Sequence, residues 1–334
     1  MVDGEGAGSG GSNAVNTTAS VSVNTTASTD ANTTASINFI PASADIAELL
    51  YYGKTFLSEA GIENATREAQ ILLGAAAGFD CAMLIARSRE IPSSKAKNKF
   101  YEYINRRARK EPLQYIIGEW EFMGLPFIVN RDALIPRPDT ECLVECIIDK
   151  LGKLGDCPSP QILDMCTGSG CVAISLAVFL HNSQIVASDI SGRALRLAEE
   201  NAKLNNVSER IVFIEGDLFK PVEALSHATG FDVICANPPY IAGDELRALP
   251  EDIRMYEPEI ALNGGAGGLD FYIKIAEGAG KWLHRGGFLA VETGAGQSVQ
   301  VERIFKQSGF AKTWAERDAN GHIRVVFASG WGIG

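Results

Sequence analysis

Apolar residues recur at two different periods along this chain, and the change of period divides it. From Asp45 to about Lys110 the spacing is helical. Ile46, Leu49, Leu50, Phe56 and Leu57 fall on one stripe, Ala69, Leu72, Leu73 and Ala76 on a second, and Phe100, Tyr101 and Ile104 on a third. Gly61, Gly78 and Pro92 punctuate the segment. A small N-terminal helical domain is therefore expected over residues 41–115. Residues 116–130 alternate in a strand-like way around Gly124 and Pro126, which predicts a hairpin within a linking segment, 116–135. Ile135-Pro136-Arg137-Pro138-Asp139-Thr140-Glu141 then stiffens the chain and starts a helix, with Asp139 as its N-cap and Glu141 in its first turn.

From Gln161 onward short apolar runs alternate with helical ones. Ile162-Leu163, Ile185-Val186-Ala187, Ile211-Val212-Phe213-Ile214, 231–236 and Phe288-Leu289-Ala290-Val291 read as five strands. The first is followed by a helix through Ile174, Leu176 and Ala177, the second by one from about Ser191 to Asn205. This order predicts an α/β fold with a mainly parallel, Rossmann-like sheet covered by helices on both faces, over 116–330. Strands at 311–316 and 322–328 are separated only by a turn containing Asn320-Gly321, so they form a terminal antiparallel hairpin.

Before residue 40 the pattern disappears. Asn16-Thr17-Thr18-Ala19-Ser20 recurs at 24–28 and 32–36 in a tract of Gly, Ser, Thr, Asn and Ala. Such a tract buries too little apolar surface to offset its ordering entropy, so 1–40 reads as a disordered low-complexity tail. Each repeat also matches a glycosylation acceptor. With Asp3 and Glu5 near the start and no basic-then-apolar stretch, no secretory signal is expected, and that match carries no weight.

Length fits these segments, since 334 residues allow about two domains at ~150 each. The net charge of −11 argues against general attraction to duplex phosphate and suits a basic protein partner. No run reaches the ~20 apolar residues of a membrane span. The seven cysteines show no metal-ligand spacing. Cys142 and Cys146, four apart on one helix face, read as small buried thiols of a reducing cytoplasm rather than a metal pair. The run Arg106-Arg107-Ala108-Arg109-Lys110 is either a partner-binding patch or a solvated helix end whose cations complement the dipole.

Candidate chemistry gathers at strand ends. Cys166-Thr167-Gly168-Ser169-Gly170 follows the first parallel strand and opens a helix, where glycines allow a sharp turn and close approach of a ligand. Asp189 follows the second strand, nineteen residues after Gly170, where a carboxylate can accept from both hydroxyls of a ribose. Asp217 follows the third strand, where an adenine edge would lie. This spacing fits NAD and S-adenosylmethionine alike.

Asn237-Pro238-Pro239-Tyr240, after the fourth strand, decides between them. The two prolines fix the backbone and remove two N–H donors. What remains is rich in acceptors: the Asn237 side-chain oxygen and a carbonyl of the proline region. Two acceptors suit a planar NH₂ group, with Tyr240 able to pack flat against it. Such a nitrogen is a poor nucleophile, and polarisation plus alignment with a sulfonium methyl are what a protein can add.

With these residues in view the chain resembles the HemK/PrmC protein-glutamine N5-methyltransferases, from about residue 45 to 328. Beside the tetrapeptide, Glu111-Pro112-Leu113-Gln114-Tyr115-Ile116-Ile117-Gly118 resembles the family's domain junction and Phe122-Met123-Gly124-Leu125 its hairpin. The stretch 135–141 is close to a family hallmark, and Gly267-Gly268-Leu269-Asp270-Phe271-Tyr272 and Glu292 fall in the expected order. The resemblance implies a class I methyltransferase sheet and S-adenosylmethionine as cofactor. Its substrate would be the glutamine of the Gly-Gly-Gln loop in class 1 peptide chain release factors.

By the same resemblance, 166–170 cradle the methionine part, Asp189 holds the ribose, and Asp217 with Leu218 the adenine end. Asn237 to Tyr240 hold the glutamine amide, Asn237 bordering the cofactor as well. The family's loop has glycine where Cys166 stands, so a β-carbon must be accommodated there. The helical domain would select the substrate. A cytoplasmic monomer is expected, with no metal, membrane or direct nucleic-acid partner. The alternatives are an adenine-N6 methyltransferase of nucleic acid, a glutamine methyltransferase of a ribosomal protein, and a non-enzymatic nucleotide-binding adaptor. An adenine enzyme should carry a basic, aromatic-lined face.

Overall fold

The computed structural model describes residues 41–154, 158–223 and 230–332. The repeat-bearing tail lies outside the described residues. Helix α1 (Ile46–Glu59) starts where Asp45 accepts from the Glu48 N–H and Glu48 returns the bond to the Asp45 N–H, at 2.9 and 3.0 Å. Its buried stripe faces α2 (Ala65–Ala77) and α4 (Ser94–Ala108), with the short α3 (Cys81–Ala86) between them and α5 (Leu113–Ile117) after. Leu49, Leu57, Leu72, Leu73, Phe100 and Ile104 form their own apolar cluster. Phe56 and Tyr101, expected on these stripes, pack only at its margin.

The predicted hairpin is β1 (Glu119–Phe122) and β2 (Leu125–Ile128). Its two-residue turn, Met123-Gly124, has both φ positive, as the twist of paired strands requires. Helix α6 (Pro138–Leu154) follows. It starts two residues earlier than expected: Pro138 takes the first helical position, where its missing N–H costs nothing. Asp139 is therefore inside the first turn rather than the N-cap, and it pairs with Arg324 at 2.7 Å.

Alternation then builds the sheet: β3 (Gln161–Met165), α7 (Cys171–Phe179), β4 (Gln184–Asp189), α8 (Gly192–Leu204), β5 (Ile211–Glu215), α9 (Lys220–Glu223), β6 (Phe231–Ala236), α10 (Glu251–Tyr256), α11 (Asp270–Trp282), β7 (Leu283–Glu292), α12 (Ser298–Gln307), β8 (Phe310–Arg317) and β9 (Ile323–Trp331). Strand order is β5-β4-β3-β6-β7-β9-β8. All pairings are parallel except those of β9, which runs antiparallel to both β7 and β8.

Alternate residues of the central strands feed two clusters. Ile162, Val233 and Phe288 join α6 and α7 on one face, while Leu163, Ile234 and Leu289 join α11 and α12 on the other. The order reverses between β3 and β6, so a crevice opens at their carboxyl ends. Helices α11 and α12 were not anticipated. Among the described residues no helix is long and apolar enough to cross a membrane.

Candidate active site

The crevice holds a cleft of about 1040 Å³, walled by the loops after β3, β4, β5 and β6 and by the segment before α6. Cys166, Thr167, Gly168 and Ser169 line it, as do Asp189, Asp217, Leu218, Asn237 and Pro239. Pro238 and Tyr240 instead line a smaller pocket of about 450 Å³, and Asn237 borders both spaces. The structure thus brings the sequence-predicted residues to one place, with three exceptions. Gly170 faces away from the cleft. It caps α7 at φ +82°, and a β-carbon there would meet Ala198 at 3.0 Å, so it serves the packing of α7 on α8. Pro238 and Tyr240 belong to the second pocket alone.

The loop after β3 is fixed from below. Asp164 is buried and accepts the Thr167 hydroxyl at 2.6 Å, and burial pushes its carboxyl up to about 7. The Thr167 N–H bonds the Ser188 carbonyl of β4. Cys166 takes φ +57°, a left-handed conformation that a side chain adopts at some cost. Its thiol lines the cleft, and burial pushes its pKa well up, so it stays protonated. The β-carbon is accommodated in the same backbone conformation a glycine would use.

Asp189 is tied to the loop as well as offered to a ligand. Its Oδ2 accepts the Gly168 N–H and its Oδ1 the Ser191 N–H, both at 2.9 Å. Each carboxylate oxygen keeps a further acceptor site. Asp217 is half-exposed and pairs with Lys220 at 2.9 Å. Among the described residues the lining contains four aspartates, Asp132, Asp164, Asp189 and Asp217, against one cation, Arg137. Arg137 is already paired with the buried Glu257. A dinucleotide would bring a pyrophosphate into this acidic surrounding. S-adenosylmethionine brings a sulfonium and an ammonium instead, and the residues present fit it.

Asn237 ends β6 at the mouth between the two spaces. Its Nδ2 donates to the Thr140 hydroxyl oxygen on α6 at 3.0 Å. That contact turns the amide oxygen away from α6. Among the described residues no hydrogen bond reaches the Asn237 Oδ1 or the Pro238 carbonyl, so the two acceptors needed for an NH₂ group remain available. The Tyr240 carbonyl is occupied by Gln297 Nε2 at 2.9 Å, which pins the tetrapeptide at its far end. Burial pushes the Tyr240 phenol up to about 12, so it is no base near neutrality. Sequence reasoning missed Thr140, Gln297 and the Arg137–Glu257 pair. Only the position of 135–141 at the start of α6 hinted at the first and last.

Three cations of the basic run are internal. Arg106 forks onto Glu111 at 3.0 and 2.8 Å, and this bond holds the Glu111 carboxyl below its ordinary range. Arg107 reaches Glu68 and the Glu111 carbonyl, and Lys110 bonds the carbonyls of Ala60 and Gly61. Arg109 alone is exposed. The run is therefore neither a free binding patch nor a solvated helix end. Cys142 and Cys146 face each other at 3.9 Å. Among the described residues no three His, Cys, Asp or Glu gather as a metal site.

The mixed sheet, the acidic cleft at its switch point and the acceptor-lined second pocket define a methyltransferase that uses S-adenosylmethionine. Residues 48–118 match the PrmC N-terminal domain, and 138–253 match the methyltransferase small domain. The chain is 39% identical over 281 residues to the release factor glutamine methyltransferase of Geobacter sulfurreducens, covering 84% of this chain and 95% of that protein. For the Thermodesulfovibrio yellowstonii protein of the same name the identity is 41% over 260 residues, with 78% and 91% covered. For that of Clostridium acetobutylicum it is 37% over 290 residues, with 86% and 99% covered. The chain belongs to the release factor glutamine methyltransferase family.

Asp189→Asn is expected to weaken S-adenosylhomocysteine binding by about ten- to a hundredfold. It removes the charge from bonds worth roughly 1.5–3 kcal/mol and misplaces a donor beside the Gly168 N–H. Titration calorimetry checks this, and an unchanged affinity would remove Asp189 from the cofactor site.

Proposed function

We propose that this enzyme transfers the methyl of S-adenosylmethionine to the side-chain amide nitrogen (N5) of the glutamine in the Gly-Gly-Gln loop of a class 1 peptide chain release factor. One observation carries the reading: Asn237 stands between the two spaces with its NH₂ held by Thr140 and, among the described residues, no hydrogen bond to its oxygen. The names of the relatives support the choice of substrate. In this reading Cys166 to Gly170, Asp189, Asp217 and Leu218 hold the cofactor in the larger cleft. Asn237 to Tyr240 hold the amide in the smaller pocket, and the two acceptors turn one face of the nitrogen toward the sulfonium methyl. Residues 41–115 select the protein, because a pocket for one amide recognises little else and remote contacts must supply the rest of the binding energy. The reaction takes place in the cytoplasm, where release factors act.

Intact-mass analysis tests this reading. A release factor incubated with enzyme and cofactor is expected to gain one methyl. The same factor with its loop glutamine changed to glutamate is expected to gain none. Methylation of a ribosomal protein or of adenine in an oligonucleotide, with the release factor unmodified, would overturn the assignment.

A further inference from the structure

Glu292 ends β7 almost fully buried, 2% exposed, and among the described residues its Oε2 has no hydrogen-bond partner. The Thr140 hydroxyl, itself 1% exposed, stands beside this carboxyl and favours its charged form. On its other side the same hydroxyl oxygen receives the Asn237 Nδ2 proton at 3.0 Å. A hydroxyl has one proton to give. When Thr140 gives it to an ionised Glu292, only lone pairs face Asn237, and only the NH₂ end of the Asn237 amide can meet them. The Asn237 Oδ1 must then point to the acceptor.

We propose that Glu292 is a positioning residue which, through Thr140, sets the flip of the Asn237 amide and so presents an acceptor, not a donor, to the nitrogen being methylated. This rests on the reading of Asn237 as the residue that holds that nitrogen. The chain of bonds runs in one direction: substrate N–H to Asn237 Oδ1, Asn237 Nδ2–H to Thr140 Oγ1, Thr140 O–H to the Glu292 carboxylate. The negative charge at its end polarises each bond in turn and makes Oδ1 a stronger acceptor. A protonated Glu292 can donate instead. Thr140 is then free to turn its proton toward Asn237, and the amide can reverse, placing NH₂ against NH₂.

Burial pushes the Glu292 carboxyl up to about 7, against the Thr140 bond that favours its charge. The charged groups facing it are Asp139 on α6, Arg137 before α6 and Arg324 on β9. Tyr240, Tyr272 and Cys171 also face it, and burial holds them protonated well above that range. Cys142 faces it from α6 and is engaged with Cys146. The sign follows: as pH falls through about 7 the carboxylate gains a proton, the orientation is released and turnover falls. Asp164, a second buried carboxyl of the site with a raised pKa, lies under the cofactor loop, so its titration enters cofactor affinity and is removed by saturating cofactor, and Glu257, raised by burial, is held by Arg137.

The test compares Thr140→Val, Thr140→Ser, Glu292→Gln and Asn237→Ala on an intact release factor with saturating cofactor. Thr140→Val is expected to lower kcat by about ten- to a hundredfold, as a misoriented contact does, with KM for the protein and S-adenosylhomocysteine affinity little changed. Thr140→Ser, which keeps the hydroxyl, should recover most of that loss. Glu292→Gln should lower kcat above pH 7.5 and abolish the acid limb of the wild-type profile. A Thr140→Val enzyme that keeps more than half its kcat, beside an Asn237→Ala enzyme that has lost a hundredfold, overturns the relay and leaves the Asn237 reading standing. An acid limb unchanged in Glu292→Gln overturns it equally. An active Asn237→Ala enzyme overturns both.

Discussion

Asn237→Ala is expected to lower kcat by roughly two to three orders of magnitude while leaving S-adenosylhomocysteine affinity within a few-fold of wild type. Asn237 borders both the cleft and the smaller pocket, and in the proposed reading its oxygen is one of two acceptors for the substrate amide while other residues hold the cofactor. An amide nitrogen has little lone-pair density of its own. The contact matters most as charge develops on that nitrogen, and a contact made mainly in the transition state appears in kcat rather than in KM. Single-turnover kinetics with labelled cofactor measure the step directly. Turnover above half of wild type would leave the acceptor role without support.

Asn237→Asp separates shape from charge. The aspartate keeps an oxygen toward the pocket but, ionised, cannot donate to Thr140, so across the 3.0 Å contact either the Thr140 hydroxyl turns its own proton away from Glu292 to the aspartate or the aspartate carries a proton. Activity returning only where such a proton is present would show that the Thr140 side of the amide matters as much as its substrate side.

Why the tetrapeptide was legible in the sequence, and its support was not, has a physical answer. Asn237-Pro238-Pro239-Tyr240 is contiguous, follows the last residues of a readable strand, and constrains its own backbone through two prolines. The loop at 166–170 and the carboxylate of Asp189 are likewise set by their distance from strand ends. Thr140 and Glu292 come together from α6 and the end of β7, and nothing local to either announces the other. The sheet was readable because its strands are apolar runs between glycine-rich turns. Helix α12 was not, since its buried residues are only Ser298, Val301 and Phe305 and Val299 beside them is exposed. The basic run misled in the same way. Cations at a helix end look solvated until the fold brings up Glu68, 39 residues earlier in the chain.

Arg107→Ala is expected to cost about 3–5 kcal/mol of stability, the range for a buried ion pair that loses one partner. The Arg107 side chain is 10% exposed and Glu68 15%, so removing the guanidinium strands a carboxylate with little water to replace it. The Glu111 carbonyl loses its donor at 3.1 Å in the same step. Arg107 also stands 3.8 Å from Asp252 at the start of α10, so the loss extends beyond the link between α4 and α2. Denaturant midpoints at constant slope measure the effect. A change under about 1 kcal/mol would return the pair to the class of exposed ion pairs. Charge reversal at Arg106 or Arg107 therefore cannot report on substrate docking, because either variant weakens the fold before it weakens an encounter. Arg109 is the residue to reverse for that purpose. Arg109→Glu should leave the midpoint where it is, so a raised KM for the release factor in that variant reads as lost docking and not as lost structure.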